Sequence, residues 1–291
     1  MPTAVEMPAA FLGHGNPMNA IEHNRFTQAW SDFGAACGAP RAILMVSAHW
    51  FTNATALTAM PQPRTIHDFY GFPRELEEFQ YPAPGSVELA DEVAELVRPD
   101  RVGLDSGSWG LDHGAWSVLA HAFPTADVPV VQLSINALMP FDYHLELAER
   151  LAPLRRRGVV IMGSGNLVHN LRRVDWAQPD EGFDWARRFD ITTRDLMLSA
   201  PGDIARLTRD GDYAMAAPTP EHFIPLIYFA GLAAVSGRQP EVLVDGLAYG
   251  SVSMAAFQLD VAAEENRTRG ATVAPTGLPR PGNMPADQTN M

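Results

Sequence analysis

Short apolar runs recur along the chain, and each has the length of a buried β-strand. Runs of about four to eight apolar residues between turn-forming residues are typical of strands with both faces covered. The predicted strands are AAFLG (9–13), AILMVSA (42–48), VPVVQLSI (128–135), GVVIMG (158–163) and EVLVDG (241–246).

Helical periodicity appears between these runs. Over residues 86–98, SVELADEVAELVR, the apolar side chains lie on one face and the acidic side chains on the other. Residues 143–156 and 183–200 follow the same pattern.

The sequence TPEHFIPLIYFAGLAAVSG (219–237) predicts a fourth helix. Thr219 is the predicted N-cap, Pro220 the first helical residue and Gly237 the terminator. Pro225 has no backbone N–H, so we expect it to disturb the second turn.

Alternating strands and helices predict an α/β fold, with a central mostly parallel or mixed sheet flanked by helices and an active site at the carboxyl ends of the strands. No repeat or low-complexity linker divides the chain, so residues 1–263 are predicted to form a single catalytic domain. Residues 264–291 are rich in Pro and Gly without apolar periodicity, and we expect a flexible tail.

Residues 60–85, MPQPRTIHDFYGFPRELEEFQYPAPG, interrupt the alternation. Five prolines and several aromatic residues indicate a long ordered loop. Loops of this length in a globular chain are commonly functional.

The composition of the chain excludes some classes of binding partner and metal site. The hydrophobic fraction of 46% is that of a globular protein with a large core. The formal net charge of −13 argues against nucleic acid or an anionic membrane as the main partner. Cys37 is the single cysteine, which excludes an intramolecular disulfide and a thiolate metal cluster.

Targeting signals are not apparent in the sequence. The N-terminal residues lack the pattern of a signal peptide. No apolar run approaches the roughly 20 residues of a membrane helix. We therefore predict a cytoplasmic location.

Five of the nine histidines follow strands or begin elements. His14 lies in GHGNP after the first strand, His49 ends the second in SAHW, and His169 follows GVVIMG in GSGNLVHN. His113 lies in WGLDHGAW, and His222 is in the first turn of the helix predicted from Thr219. Ligands of open α/β sheets bind beyond the carboxyl ends of the strands, so these histidines are expected to share one pocket.

Neutral imidazole is a good ligand for zinc and iron, and three protein ligands with open positions make a catalytic metal site. The helix dipole at His222 would keep that ring neutral. A strand-end histidine is also commonly a hydrogen-bonded core residue, and GSGN resembles a tight turn without the lysine of a P-loop. His23, His121 and His144 are predicted to lie at the surface. The residues alone thus indicate an α/β protein, with a histidine-rich metalloenzyme as one interpretation.

Six motifs sharpen this interpretation: GHGNPMNAI, SAHW, TIHDFYGFPRELEEFQYPAPG, GLDHGAWSVL, GSGNLVHNLR and TPEHFIPLIYFAG. In this order, and over about residues 9 to 257, they resemble the 4,5-DOPA extradiol dioxygenase group. That group belongs to the class III extradiol ring-cleavage dioxygenases, whose superfamily includes the β-subunit of protocatechuate 4,5-dioxygenase.

The resemblance implies roles for the histidines. His14 and His49 match two metal ligands, and His222 matches the third. The third ligand is a carboxylate in the wider superfamily, so Glu221 is an alternative to His222. His169 matches the catalytic acid–base, with a fourth-ligand role as an alternative.

The resemblance also implies a substrate pocket. His113 matches a histidine near the substrate and oxygen positions. The HDFYGFP segment looks like the substrate-pocket loop, with four candidate wall residues. These are His67, Phe69, Tyr70 and Phe72.

The implied activity is extradiol cleavage of a catechol, DOPA-like or a related catecholic acid, by O2 at one non-heme metal. Fe(II) is expected for activity, and Zn(II) is an alternative occupant of the isolated protein. Two other functions are a zinc-dependent hydrolase, using His169 or Glu221 as proton carrier, and a non-catalytic metal-binding protein. The aromatic segment 60–85 favours a flat ring as substrate. The partners expected are the catechol and O2, without nucleic acid or membrane, and a homo-oligomer is compatible with the sequence.

Overall fold

Eight strands form a mixed sheet at the centre of the molecule. The computed structural model describes residues 6–261. In this part of the chain, strands β1 to β12 span Ala9–Gly13, Ala42–Thr52, Ala56–Thr58, Arg64–Thr65, Gly103–Asp105, Gly110–Leu111, Val130–Asn136, Val159–Gly165, Glu241–Val244, Leu247–Ala248, Val252–Ser253 and Ala256–Leu259. Helices α1 to α8 span Arg25–Cys37, Arg74–Glu77, Val87–Leu96, His113–Ala122, Phe141–Leu151, Asp184–Ser199, Tyr213–Ala216 and Ile224–Ser236.

The strands of the central sheet lie in the order β5-β3-β7-β2-β8-β1-β12-β9. The four central strands β7, β2, β8 and β1 are parallel, and antiparallel pairs lie nearer the edges. This confirms the predicted α/β fold with a mixed, mostly parallel sheet. The prediction of a single domain over residues 1–263 stays a prediction, and the expected tail 264–291 lies outside the described residues. No helix in the part of the chain that the structure describes is long and apolar enough to cross a membrane.

Strand β2 shows why the sequences of the central strands are uninterrupted apolar runs. Its side chains alternate between two hydrophobic cores: Leu44 and Val46 pack on the side of α5 and α8, and Ile43 and Met45 on the side of α1 and α4. Because both faces are covered by helices, every position of the run is apolar.

The end of β2 departs from the prediction. The strand continues to Thr52, so His49 lies within β2 rather than at its tip. The pairing of β2 with β7 is irregular between Val46 and Phe51, and it resumes when Phe51 pairs with Ile135. A bulge of this kind re-aims side chains, and here it contains His49.

The start of α8 also differs. The helix begins at Ile224, and Pro225 occupies its first turn, where a missing N–H costs no hydrogen bond. Thr219 does not cap it; its hydroxyl donates to Glu221 Oε1 at 2.7 Å. His222 therefore lies in the turn before α8 and not in its first turn, and the effect of the helix dipole on its ring stays a prediction.

Two histidines predicted at the surface are buried. His121 donates from Nε2 to the carbonyl of Asn19 at 2.7 Å, and His144 Nδ1 lies 3.1 Å from the Tyr228 hydroxyl. The prediction was wrong because these polar partners lie far away in the sequence. His23 is exposed as predicted.

The segment 60–85 contains the short strand β4 and the one-turn helix α2 between irregular stretches. Its ends are fixed by backbone hydrogen bonds, from Gly85 to Pro61 and from Val130 to Pro84. The indole of Trp116 holds its middle, donating to the Ile66 carbonyl at 2.8 Å. The predicted loop is thus tied to the body of the molecule.

Candidate metal centre

Three histidines meet near the carboxyl ends of the central strands. His14 follows β1, His49 comes from the bulge of β2, and His222 lies in the turn packed against the end of β8. The register brings them to one level, since Gly13 pairs with Gly165. All three side chains are buried.

The spacing of these three rings is nearly equal. The ring centroids lie 5.2 Å apart for His14 and His49, 5.3 Å for His14 and His222, and 5.1 Å for His49 and His222. Imidazoles bound to one tetrahedral ion through Zn–N distances of about 2.0–2.1 Å would have centroids about 5 Å apart and nitrogens about 3.3 Å apart. The Nε2 atoms of His14 and His49 are 3.3 Å apart. The trio therefore fits a single metal ion.

The His14 ring is oriented by Ser164 on β8. The Ser164 hydroxyl donates its one hydrogen to the Gly114 carbonyl at 2.5 Å, so it can only accept from His14 Nδ1, 2.9 Å away. The proton of His14 thus sits on Nδ1, and Nε2 offers its lone pair to the centre. Burial, followed by the neighbouring histidines, lowers the pKa of His14 well below its usual value.

Asp68 orients two further rings. One carboxylate oxygen lies 2.9 Å from His49 Nδ1, and the other lies 2.8 Å from His113 Nδ1. Burial raises the pKa of Asp68, but His113, His49 and their hydrogen bonds outweigh it and hold the pKa well below its usual range. Burial lowers the pKa of His49, and the Asp68 carboxylate reverses this and raises it.

Glu221 accompanies His222 in the same way. Its Oε1 lies 3.3 Å from His222 Nδ1 and also accepts from Thr219. Burial, followed by the nearby histidines, lowers the pKa of His222 well below its usual value. Carboxylate or hydroxyl partners on the remote nitrogen are typical of metal-binding histidines.

His169 lies face to face with His222. Their ring centroids are 3.5 Å apart and the planes differ by 10°. The enclosed position, with contributions from His49 and His113, lowers the pKa of His169 to about 3. The ring is therefore neutral at pH 7.

Two glycines let the elements of the site approach each other. A Cβ at Gly114 would lie 2.5 Å from Ser47 Oγ and 2.7 Å from His49, and one at Gly165 would lie 2.2 Å from the His222 carbonyl oxygen. Both positions exclude any side chain, so the ring of His49 and the turn of His222 can pack directly on backbone.

The four predicted pocket residues differ in their contacts with the histidine cluster and in their exposure. Phe69 places its ring edge-on to His113, with centroids 5.4 Å apart. Phe72 is buried behind Phe69, and Tyr70 is 54% exposed. His67 lies 2.9 Å from the Phe79 carbonyl and contacts Trp116 rather than the three-histidine cluster.

Four functional candidates escaped the sequence reasoning: Asp68, Asp112, Ser47 and Ser164. Asp112 is fully buried, caps α4 through the Ala115 N–H, and accepts from the Ser47 hydroxyl at 2.6 Å. Burial raises its pKa, and Asp68 adds to this. The two aspartates each adjoin a candidate histidine in the sequence, which is the signal that could have identified them.

Two groups of side chains are close enough to hold a metal ion. The ligand atoms of His14, His49 and His113 lie within 4.8 Å of one another, and so do those of His169, Glu221 and His222. Of the three predicted ligands, His14 and His49 belong to the first group and His222 belongs to the second. The mixed α/β sheet and these clustered imidazoles define a class of protein: an α/β protein with a candidate metal site built on histidines.

Comparison with known proteins identifies the family. The model of the catalytic LigB subunit of aromatic ring-opening dioxygenase matches residues 9–258, and the chain belongs to this family. It is therefore an extradiol ring-opening dioxygenase, an oxidoreductase, as the motifs predicted.

Individual relatives agree with this assignment. A protein of Escherichia coli (strain K12) named 4,5-DOPA dioxygenase extradiol is 44% identical over 262 residues, covering 88% of this chain and 96% of that protein. A protein of the same name from Beta vulgaris is 35% identical over 237 residues, covering 78% and 87%. The crystal structure of an uncharacterized protein from Escherichia coli K12 superposes with a TM-score of 0.77 at 40% identity, covering 87% of this chain and 99% of that one.

Proposed function

We propose that this dioxygenase opens the ring of a DOPA-like catecholic acid at one Fe(II) ion held by His14, His49 and His222. The observation that carries the proposal is the equal spacing of the three rings, 5.1 to 5.3 Å between centroids. Each ring also has its Nδ1 beside an oxygen acceptor, which leaves Nε2 for the metal.

His113 is the competing third ligand, because its nitrogen lies near those of His14 and His49. Its ring centroid is 3.8 Å from that of His49. Two rings bound to one tetrahedral ion need about 5 Å between centroids. The crowding favours His222 as the ligand and leaves His113 for contact with substrate.

The donor set suits several divalent ions. Neutral imidazole binds iron and zinc alike, and three protein ligands leave positions open. Bound Fe(II) would lower the pKa of a coordinated catechol and carry electrons between catechol and O2, which zinc cannot do. We therefore assign activity to the iron form and regard zinc as an occupant that isolation can introduce.

His169 is the proposed proton acceptor for a catechol hydroxyl. Its neutral ring lies parallel to His222, with its nitrogen close to the metal ligands. His113 has its Nδ1 hydrogen on Asp68, so its Nε2 accepts a hydrogen bond from the catechol. Both atoms of O2 enter the product, which is a ring-opened semialdehyde acid.

Phe69 is the proposed wall against which the catechol ring lies, because its ring already packs on His113. His67, Tyr70 and Phe72 complete the proposed pocket around it. The DOPA-like substrate is supported by the names of the relatives from Escherichia coli and Beta vulgaris. A cytoplasmic location and a homo-oligomer stay predictions.

Anaerobic reconstitution of metal-free protein tests this function. Samples loaded with Fe(II) or Zn(II) receive DOPA, caffeate or protocatechuate, and O2 uptake is followed together with the yellow ring-opened product. We expect uptake with Fe(II) alone, equimolar with product and fastest with DOPA. Absence of uptake by a fully Fe(II)-loaded sample would contradict the proposed metal and substrate, and ester hydrolysis by the zinc form would favour the hydrolase.

A further inference from the structure

We infer that Asp68 is a positioning residue that fixes the tautomers of His49 and His113 together and so couples the metal ligand to the substrate wall. The inference rests on the proposed function in one respect, that His49 binds the metal through Nε2. It assigns a role to a carboxylate that is neither a proposed ligand nor a proposed substrate contact.

The contacts of Asp68 are divided between the two rings. Oδ2 lies 2.9 Å from His49 Nδ1, and Oδ1 lies 2.8 Å from His113 Nδ1. Oδ1 also accepts from the His113 backbone N–H at 3.1 Å. The side chains of His49, His113 and Asp68 are 5%, 7% and 19% exposed, so water competes little for these bonds.

An ionised carboxylate has acceptors and no donor. Each imidazole must therefore carry a hydrogen on Nδ1 to bond Asp68, and in the neutral ring Nε2 is left with a lone pair. For His49 this is the form that a metal ion requires. For His113 it is the form that accepts a hydrogen from a substrate hydroxyl.

Asp68 belongs to the segment that carries the aromatic residues. It directly precedes Phe69, whose ring packs on His113. Two residues before it lies Ile66, whose carbonyl accepts a hydrogen bond from the Trp116 indole. The same carboxylate thus anchors this segment to β2 and to the start of α4. A change at Asp68 should alter metal affinity and substrate affinity together.

Substitution by asparagine separates this role from simple anchoring. An amide has one acceptor oxygen and one donor nitrogen, so it can accept from one imidazole Nδ1 but must donate to the other. In Asp68→Asn we therefore expect one of the two histidines to move its hydrogen to Nε2. Long-range 1H–15N spectra of the imidazoles in metal-free protein report this directly.

Zinc affinity, measured by competition with a chelator, is the second readout. Loss of a carboxylate partner of a metal-bound histidine typically weakens binding about 10- to 100-fold, and we expect that loss in Asp68→Asn. Asp68→Glu keeps two acceptor oxygens and should restore the wild-type tautomers. Glu75→Gln, at an exposed site on α2, is the matched control and should leave both readouts unchanged.

The outcomes are distinct. Unchanged tautomers and zinc affinity in Asp68→Asn, when wild type binds zinc, overturn the inference and leave the proposed function standing. Wild type that binds no zinc overturns both. If Asp68→Asn does not fold, Asp68→Glu decides: an Nε2–H tautomer at either histidine in that variant overturns the inference.

Discussion

Each proposed ligand reaches the centre with its second nitrogen already bonded, and this determines what the side chain can do. Ser164 stands behind His14, Asp68 behind His49 and Glu221 behind His222. Fixing the ring and its tautomer before metal binding reduces the entropy lost on coordination. The ligands could be proposed from the sequence, but the His14–Ser164 pair, 150 residues apart, depends on the register of β1 and β8.

His169→Ala tests the division between metal binding and proton transfer. The residue stacks on His222 but has no place in the proposed ligand set. We expect zinc affinity within about threefold of wild type and kcat lowered by about 10²-fold or more, which is a typical loss for a general base. Full turnover by this variant would refute its role as the base, and loss of zinc binding would identify it as a ligand.

At the scale of elements, local pattern predicted five of the eight strands in the central sheet and missed β3, β5 and β12. Strands β1, β7 and β8 are covered on both faces, so each is an uninterrupted apolar run. Such a run can be identified as a strand from its composition alone. Two further errors fall at the site. The irregular pairing around His49 and the turn that holds His222 depend on neighbouring strands and on the backbone of β8, which periodicity does not contain.

Gly165→Ala tests how closely β8 must approach the His222 turn. A Cβ there would lie 2.2 Å from the His222 carbonyl oxygen, which also accepts from Asn166 at 2.9 Å. Because both partners are backbone, the turn has to move, and we expect zinc affinity to fall at least about tenfold.

Gly103→Ala on β5 is the control for this change. Its Cβ would meet its nearest neighbour at 3.5 Å, an ordinary contact. Zinc affinity of Gly103→Ala should equal that of wild type. Wild-type affinity in Gly165→Ala as well would show that the position of the His222 turn does not matter for the metal.

At the scale of the whole molecule, buried histidines link stability to pH. His144 lies fully buried where α5 packs on α8, and burial lowers its pKa to about 4. Between pH 6.5 and pH 4 the unfolded chain binds a proton there that the folded chain does not. The free energy of unfolding therefore decreases as the pH falls through this range. The contribution of His144 to stability is fully present above pH 6.5.

His144→Gln should remove this contribution. From pH 6.5 to pH 4 we expect the variant to lose about 3 kcal/mol less unfolding free energy than wild type. Urea unfolding of the metal-free proteins measures it, with the exposed His23→Gln as control. Parallel pH profiles for wild type and His144→Gln would show that His144 does not contribute to the acid sensitivity.

The fold as a whole followed from the alternation of apolar runs and amphipathic segments, which needs no long-range information. The burial of His121 and His144 did not, because their partners Asn19 and Tyr228 are supplied by distant elements. The same limit hid Asp68, whose partners come from β2 and the start of α4. Sequence thus indicates which histidines gather, and tertiary contacts decide what each of them does.

The most direct test of the metal centre is anomalous diffraction at the zinc edge from crystals of the zinc-loaded protein. We predict one strong peak, bonded at about 2.0–2.1 Å to Nε2 of His14, His49 and His222, with His113 outside bonding distance and still on Asp68. A peak bonded to His113 in place of His222, or a peak away from this cluster, would contradict the account.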